Sequence, residues 1–180
     1  MTQDRCGATL RDALEARLKG NVTVVGVGNP ILGDDSAGCL VARALRGTRG
    51  LSVVLADDIP ESYVCTITES EPDCVVLVDA VDMNAPPGSV ALLEQVELSL
   101  YQASTHRVPL RLIADFIRRD HRADVFVLAI QPRQLWLGAG ASPEVASAVE
   151  LLADLIRRAV SLGQGEDDVS HRCEPETVRC

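Results

Sequence analysis

The chain alternates short apolar runs with helical patterns, and this alternation limits its fold more than any other feature. The apolar runs are rich in Val, Leu and Ile and predict five strands, at 22–27, 51–55, 74–78, 89–93 and 125–130. Helical periodicity covers 36–46, 60–69, 109–119 and 143–162. Strand–helix alternation predicts an α/β fold, a three-layer α/β/α sandwich whose five-stranded sheet is mostly parallel with helices on both faces. The proline-containing turn Asn84–Gly88 precedes the fourth strand, which is expected at an antiparallel edge.

Length, composition and charge limit the number of domains and the kinds of partner that this chain can have. The 180 residues fit one domain, and with 47% hydrophobic but only 3% aromatic residues its core must consist mainly of Val, Leu, Ile and Ala. A net charge of −9 argues against a nucleic-acid partner, because such binding relies on clustered Lys and Arg. We divide the chain into an N-terminal extension at 1–20, which can be helical, a domain at 21–162 and a mobile tail at 163–180.

The N-terminal sequence and the cysteines indicate the cellular compartment. The first 20 residues have mixed charge and lack the apolar core of a signal peptide, and no stretch approaches the ~20 apolar residues of a membrane span. We therefore expect a cytoplasmic protein with no membrane partner. Six cysteines include no C-x-x-C pair, and Cys39, Cys65 and Cys74 sit among apolar neighbours, which predicts buried free thiols.

The segment GVGNPILGDDSAG, residues 26–38, is a glycine-rich turn between the first strand and the first helix of the domain. Gly28 and Gly33 have the G-x4-G spacing of a phosphate-binding loop, but Asp34 and Asp35 stand where that motif needs Lys and Ser/Thr. The third glycine of a dinucleotide fingerprint is replaced by Ile31. A turn that presents carboxylates suits a cation, a water molecule or a basic partner. The alternative is that Asp34 or Asp35 only caps the following helix.

Other polar residues also follow the predicted strands. Ligands of an open parallel sheet bind at the carboxyl ends of its strands, where we expect the chemically useful residues. These are Asp34 and Asp35 after the first strand, Asp57 and Asp58 after the second, Asp79 and Asp82 after the third, and His106 before the next helix. The alternatives stay open: Asp79 capping a turn, His106 bonded to backbone, and Asp57 and Asp58 in a solvated loop. Asp82 is expected to order its turn.

Four segments, in the same order, resemble one family, the maturation endopeptidases of [NiFe] hydrogenases, and most nearly the type that processes the large subunit of a formate-hydrogenlyase (hydrogenase 3) enzyme. They are GVGNPILGDDSAG, VVLVDAVDMNAPPGSV, STHRVPLRLIADFI and FVLAIQP, and the resemblance spans residues 22–160. It implies a hydrolase that removes a C-terminal extension from the large-subunit precursor after nickel insertion. It also implies that 21–162 is the protease domain.

The resemblance assigns roles to three residues. The family's acidic residue in the glycine loop, its Asp after the third strand and its His match Asp35, Asp79 and His106, which are the implied catalytic and metal-sensing residues. The nickel is supplied within the substrate precursor, and no organic cofactor is implied. Two carboxylates and one imidazole independently suit a divalent metal that another protein already holds, because they leave coordination positions open.

One segment departs from the family pattern, and two other functions compete with this one. Where members commonly carry Gly and Ser/Thr after the second strand, this chain has Asp57 and Asp58, which puts substrate choice in question more than the reaction. A non-catalytic chaperone of the same fold that recognises the nickel centre would not cleave the precursor. A nucleotide-binding α/β protein would bind nucleotide tightly, which Asp34 and Asp35 disfavour.

Overall fold

A computed structural model describes residues 9–94 and 107–170 of the chain. They form one five-stranded sheet of order β2-β1-β3-β5-β4, in which β1 pairs in parallel with β2 and β3, and β3 with β5. The last strand pairs antiparallel with β5. The mostly parallel α/β sheet and its antiparallel edge are therefore confirmed. The strands are β1 Val22–Val27, β2 Leu51–Asp57, β3 Cys74–Ala80, β4 Val90–Leu93 and β5 Asp124–Ile130.

Five α-helices and two short 3-10 turns accompany the sheet within the described residues. The predicted helix at 60–69 is a 3-10 turn followed by an α-helix, with Pro60 at the first position, where its missing N–H leaves no carbonyl unpaired. The 3-10 turns are Gly33–Ser36 and Pro60–Tyr63, and the helices are α1 Leu10–Arg17, α2 Ala37–Leu45, α3 Val64–Thr68, α4 Arg107–His121 and α5 Pro143–Ser170.

The sheet separates two cores, one on each face. Along β3, Val76 and Val78 pack with residues of α1, α2 and α5, whereas Val75 and Leu77 pack with residues of α3 and α4. This assignment follows from the two-residue period of a strand, which sends successive side chains to opposite faces. A sheet buried on both sides also explains why its central strands read as continuous apolar runs rather than alternating ones.

Helix α1 packs as part of the domain although it precedes the segment that resembles the family. Thr9 and Asp12 form a reciprocal capping box at its start, and Leu14 and Leu18 are buried in the core. Arg17 binds both carboxylate oxygens of Asp124, at 2.7 and 2.5 Å, and its guanidinium stacks 4.1 Å from the ring centre of Phe126. These contacts tie the helix to β5.

The cysteines correct one prediction. Cys39 and Cys74 are buried, as predicted, but Cys65 is exposed, because it lies on the outer side of the single-turn helix α3. Burial raises the pKa of the Cys39 and Cys74 thiols to about 12, so both stay protonated at neutral pH. All three are free thiols, and no helix among the described residues is long and apolar enough to cross a membrane.

The end of α5 differs from the predicted tail. The polar sequence after Gly163 has no apolar period, yet the helix continues to Ser170. A Cβ at Gly163 would lie 2.7 Å from the carbonyl oxygen of Leu18, and the side chain of Gln164 packs against Gly50. The helix thus continues past its predicted end at 162, and the contacts of Gly163 and Gln164 hold this continuation against α1 and the residue before β2. Residues 171–180 lie outside the described residues.

We expect a chain that ends at Leu162 to be less stable than one that ends at Gln164. The two residues that separate them carry the contacts to Leu18 and Gly50, whose loss should cost about 1 kcal/mol and lower Tm by roughly 2–4 °C. The measurement is thermal unfolding followed by circular dichroism. Equal melting temperatures would mean that these contacts do not stabilise the domain.

Candidate active site

The glycine loop folds closely on itself between β1 and α2. Gly28 has φ 128°, and a Cβ on it would lie 1.8 Å from the carbonyl oxygen of Asp35, so only glycine fits this position. A Cβ at Gly38 would lie 2.1 Å from the carbonyl oxygen of Val78, which precedes Asp79. The glycines therefore permit close packing of the loop on its own backbone and on β3.

Asp35 is buried in this loop with 4% of its surface exposed. Its Oδ2 accepts a hydrogen bond of 2.7 Å from the backbone N–H of Asn29. In a phosphate-binding loop such amides point at the phosphate. Here the carboxylate of the loop's own aspartate occupies the Asn29 amide and adds negative charge, which argues against the nucleotide-binding hypothesis.

Asp34 has a different role from its neighbour. It is fully buried, and its carboxylate accepts four hydrogen bonds from residues 99 to 108 positions later in the chain. The donors are the backbone N–H groups of Arg133 at 2.8 Å, Gln134 at 3.0 Å and Ser142 at 2.5 Å, and the Ser142 hydroxyl at 2.9 Å. Asp34 thus fastens the segment after β5 to the glycine loop.

Helix capping does not account for the two aspartates. The residue before α2 is Ser36, which makes no side-chain capping hydrogen bond, and its hydroxyl donates to the carbonyl of Gly33 instead. The Asp34 carboxylate accepts bonds from distant residues, and the Asp35 carboxylate accepts one from Asn29 in the preceding turn. Ser142 directly precedes Pro143, the first residue of α5, and its hydroxyl donates to Asp34.

Asp79 lies at the carboxyl end of β3 and is fully buried. Its Oδ1 accepts a hydrogen bond of 2.9 Å from the N–H of Ala80. Because Val78 pairs with Gly26 of β1, the next residue, Asp79, is at the level where β1 enters the glycine loop. The structure therefore brings Asp35 and Asp79 to the carboxyl end of the parallel strands, one after β1 and the other at the end of the neighbouring strand β3.

The third predicted site residue, His106, lies outside the described residues. Among 9–94 and 107–170, no three His, Cys, Asp or Glu side chains are grouped so that they could hold a metal ion. The triad of Asp35, Asp79 and His106 thus stays a prediction. Of the other histidines, His121 is exposed at the end of α4, with its ring 6.0 Å from that of Phe116, and His171 is also outside the described part.

Asp57 ends β2 and Asp58 follows it in the turn, at the same carboxyl end of the strands, but the two residues differ from each other. Asp57 is half-buried at φ 46°, in the left-handed region that favours glycine, next to an irregularity in the β1–β2 register. Its carbonyl accepts a 2.8 Å hydrogen bond from the Gly28 N–H, and its Oδ1 lies 3.6 Å from the Cys39 sulfur. Asp58 is exposed. Asp57 thus stands at a backbone position that glycine adopts most readily.

Asp82 and Gln131 order the loop after β3. Asp82 accepts bonds from the Asn84 N–H at 3.0 Å and the Gln131 amide at 3.1 Å, which confirms its predicted role in the turn. The bond from Asn84 holds the pKa of Asp82 below its ordinary value. Gln131, which the sequence did not single out, is buried and accepts from the Met83 and Ala85 N–H groups. Its one signal is its place directly after the last strand.

Comparison with known proteins decides the family. The family model for HycI, hydrogenase maturation protease, matches residues 51–159, more than half of the chain. The chain belongs to the hydrogenase maturation protease family. Members are peptidases, and membership implies a hydrogenase large-subunit precursor as the substrate of this maturation protease.

Individual relatives agree on the type. The [NiFe] hydrogenase maturation protease HycI from Thermococcus kodakarensis KOD1 is 31% identical, with a TM-score of 0.75 over 83% of this maturation protease and 99% of that structure. The hydrogenase 3 maturation protease of Escherichia coli K12 is 33% identical over 109 residues, 59% of this chain and 69% of its own length. At 17% identity, HybD from E. coli supports the fold alone, with a TM-score of 0.65 over 81% and 93% of the two chains.

Replacing Asp34 should destabilise the fold. Asparagine keeps one acceptor oxygen but turns an NH2 group towards donors, so Asp34→Asn leaves buried N–H groups unpaired and should lower the free energy of unfolding by roughly 2–4 kcal/mol. Urea denaturation followed by circular dichroism measures the change. Asp58→Asn, the same substitution at an exposed position, is the control and should unfold at the parent urea concentration. Coincident curves for the two variants would contradict the role of Asp34.

Proposed function

We propose that this maturation protease removes the C-terminal extension of a [NiFe]-hydrogenase large-subunit precursor after nickel insertion, and that Asp35, Asp79 and His106 engage the nickel in that substrate. The observation that carries the proposal is the pair of buried carboxylates at the carboxyl end of the parallel strands, each of which accepts a hydrogen bond from a backbone N–H. The free thiols of the described cysteines favour the reducing cytoplasm as the compartment.

Burial makes both carboxylates suitable for detecting a cation. A buried carboxylate is costly unless hydrogen bonds or an opposite charge stabilise it. The hydrogen bonds from Asn29 and Ala80 supply part of that stabilisation, and a divalent ion that arrives with the substrate supplies more. The energy gained on contact then depends on whether the precursor carries its metal. This dependence is what a check on nickel insertion needs.

The donor set fits a metal that belongs to the substrate. Carboxylate oxygens and a neutral imidazole are acceptable ligands for Ni²⁺, but three of them leave open positions that the precursor's own ligands fill. We therefore expect the isolated chain to hold nickel weakly and to bind it firmly only in the complex.

The reaction needs a water molecule and an acceptor for its proton. When the nickel centre of the precursor is held at the carboxyl end of the strands, the peptide bond that joins the extension to the large subunit would lie near the carboxylates of Asp35 and Asp79. A carboxylate at this position would accept the proton of the water that attacks the peptide carbonyl, and would pass it to the leaving nitrogen as the C–N bond breaks. The chain's contribution is the orientation of these groups, which the glycine loop and the end of β3 fix through backbone hydrogen bonds.

Asp35→Asn should abolish processing of a nickel-loaded precursor. The amide oxygen still accepts the Asn29 N–H, so the loop keeps its shape, but the negative charge that attracts the metal is lost. Asp79→Asn and His106→Ala should have the same effect. The measurement is the release of the extension, followed by mass spectrometry, with unchanged circular dichroism as evidence of folding.

Asp82→Asn is the matched control, since it makes the same change in a carboxylate that only orders a turn. It should process the precursor at the parent rate. Normal processing by Asp35→Asn, or equal cleavage of nickel-free and nickel-loaded precursor, would contradict the proposal. A parent chain that binds the nickel-loaded precursor without cutting it would favour the chaperone alternative.

Asp57 and Asp58 are proposed to select a basic segment of the substrate. Asp57 ends β2 at the carboxyl end of the strands, where Asp35 also lies, and Asp58 follows it in the turn and is exposed. Replacement by the types usual in the family, Asp57→Gly with Asp58→Thr, should broaden cleavage towards precursors of related hydrogenases. The glycine suits the φ of 46°.

Relative rates on two precursors measure this selectivity. Asp58→Thr alone should reproduce most of the change, because the Asp57 side chain is half-buried beside Cys39. The control is Glu69→Gln. Glu69 is an exposed acidic residue that precedes the amino end of β3, at the opposite end of the strands from Asp57 and Asp58. An unchanged ratio of rates in the double variant would show that the two aspartates do not select the substrate.

A further inference from the structure

Four large apolar side chains are exposed on two adjoining loops beside the site. Ile31 of the glycine loop is 59% exposed, and Leu135, Trp136 and Leu137 of the segment after β5 are 42%, 71% and 76% exposed. We call these four residues the apolar patch. Trp136 is the single tryptophan of a chain with only 3% aromatic residues. The largest apolar side chain available is therefore in solvent rather than in the core.

The backbone beneath the apolar patch is held in place. Leu32 and Leu137 form an isolated antiparallel β-bridge, and the Gly138 N–H donates to the Ile31 carbonyl at 2.7 Å. On the other side of the bridge, the Asp34 N–H donates to the Gln134 carbonyl at 3.0 Å, and the Asp34 carboxylate accepts the bonds described above. An apolar surface on such a fixed support loses little conformational freedom when a partner covers it.

Exposed apolar clusters of this kind mark interaction sites. Scattered surface leucines need no explanation, but adjoining large apolar residues on a soluble chain indicate a surface that another molecule covers. Tryptophan is enriched among the residues that dominate binding energy at protein interfaces. We take the hydrogenase precursor as the partner that covers the apolar patch, because Ile31 lies four residues before Asp35 in the same loop. The loop that carries Asp35 therefore also carries part of the apolar patch, and the Leu32–Leu137 bridge joins it to the rest.

We propose that the apolar patch is a docking surface for an apolar segment of the precursor and that it holds the substrate while Asp35 and Asp79 engage the metal. This inference rests on the proposed function. Docking uses side chains that do not take part in the reaction, so it should act on substrate affinity and not on the chemical step. It should also operate on precursor that lacks nickel, because no metal ligand is involved.

The single tryptophan allows a direct binding test. The chain is labelled with 5-fluorotryptophan, which gives one fluorine resonance, from Trp136, and is titrated with unlabelled, nickel-free precursor. A shift or broadening of that resonance that saturates with precursor is the expected result. An unchanged resonance at concentrations where precursor binding is seen by calorimetry would overturn the proposal.

Kinetics separates docking from chemistry. Trp136→Ser and Leu137→Ser should each raise the KM for nickel-loaded precursor about tenfold with little change in kcat, as the loss of one central interface residue does. The control is Leu151→Ser on α5, where the replaced side chain is 60% exposed but remote from the glycine loop. It should leave both constants unchanged, and all three variants should keep the parent melting temperature.

The outcomes distinguish this proposal from the one it rests on. If the parent chain does not cut nickel-loaded precursor, the proposed function fails. If the parent cuts it and the Trp136 and Leu137 variants keep the parent KM, only the docking proposal fails. Two other occupants would also overturn it. Concentration-dependent sedimentation that is abolished by Trp136→Ser would assign the patch to a second copy, and a fluorine shift caused by deletion of 171–180 would assign it to that segment.

Discussion

The buried carboxylate of Asp34 is the interaction on which the site depends. It joins two segments about a hundred residues apart, the loop after β1 and the loop after β5, through charge-assisted hydrogen bonds to three backbone N–H groups and one hydroxyl. Since β1 and β5 are separated by β3 in the sheet, the strands themselves do not pair, and the loops are joined by the Asp34 carboxylate together with the Leu32–Leu137 bridge. Asp34 gives the glycine loop a rigid support, and Asp35 is oriented as the next residue of that loop.

The glycine loop shows how one backbone skeleton serves opposite chemistry. In nucleotide-binding proteins a glycine-rich turn at the end of a strand directs N–H groups and a helix terminus towards an anion. In this maturation protease the turn contains its own anions, and its Asn29 N–H is bound to one of them. The glycines are retained because the loop approaches its own backbone closely, as at Gly28. The charge of the residues after the second glycine, and not the glycine spacing, tells the two uses apart.

The sequence predicted the fold well because the sheet is buried on both faces. Its central strands are nearly continuous runs of apolar residues rich in valine, and β1 was predicted at the residues where it occurs. The position of Asp35 and Asp79 at the carboxyl end of the parallel strands followed from their place directly after predicted strands in the chain. The role of Asp34 was beyond the sequence, because its partners, from Arg133 to Ser142, are distant in the chain and three of its four bonds come from backbone. The extension of α5 past Gly163 depends likewise on tertiary contacts to Leu18 and Gly50, which overcome a weak local preference.

The exposure of Trp136 has a consequence for optical studies of this protein. Tryptophan emission reports the polarity around the indole, and unfolding usually moves it from an apolar interior into water. Here the one indole is already 71% exposed in the native chain. Its emission should therefore be similar in folded and unfolded protein, and a fluorescence-monitored transition would have a small amplitude however stable the core is. In this molecule intrinsic fluorescence reports on the surface beside the glycine loop and not on the hydrophobic interior.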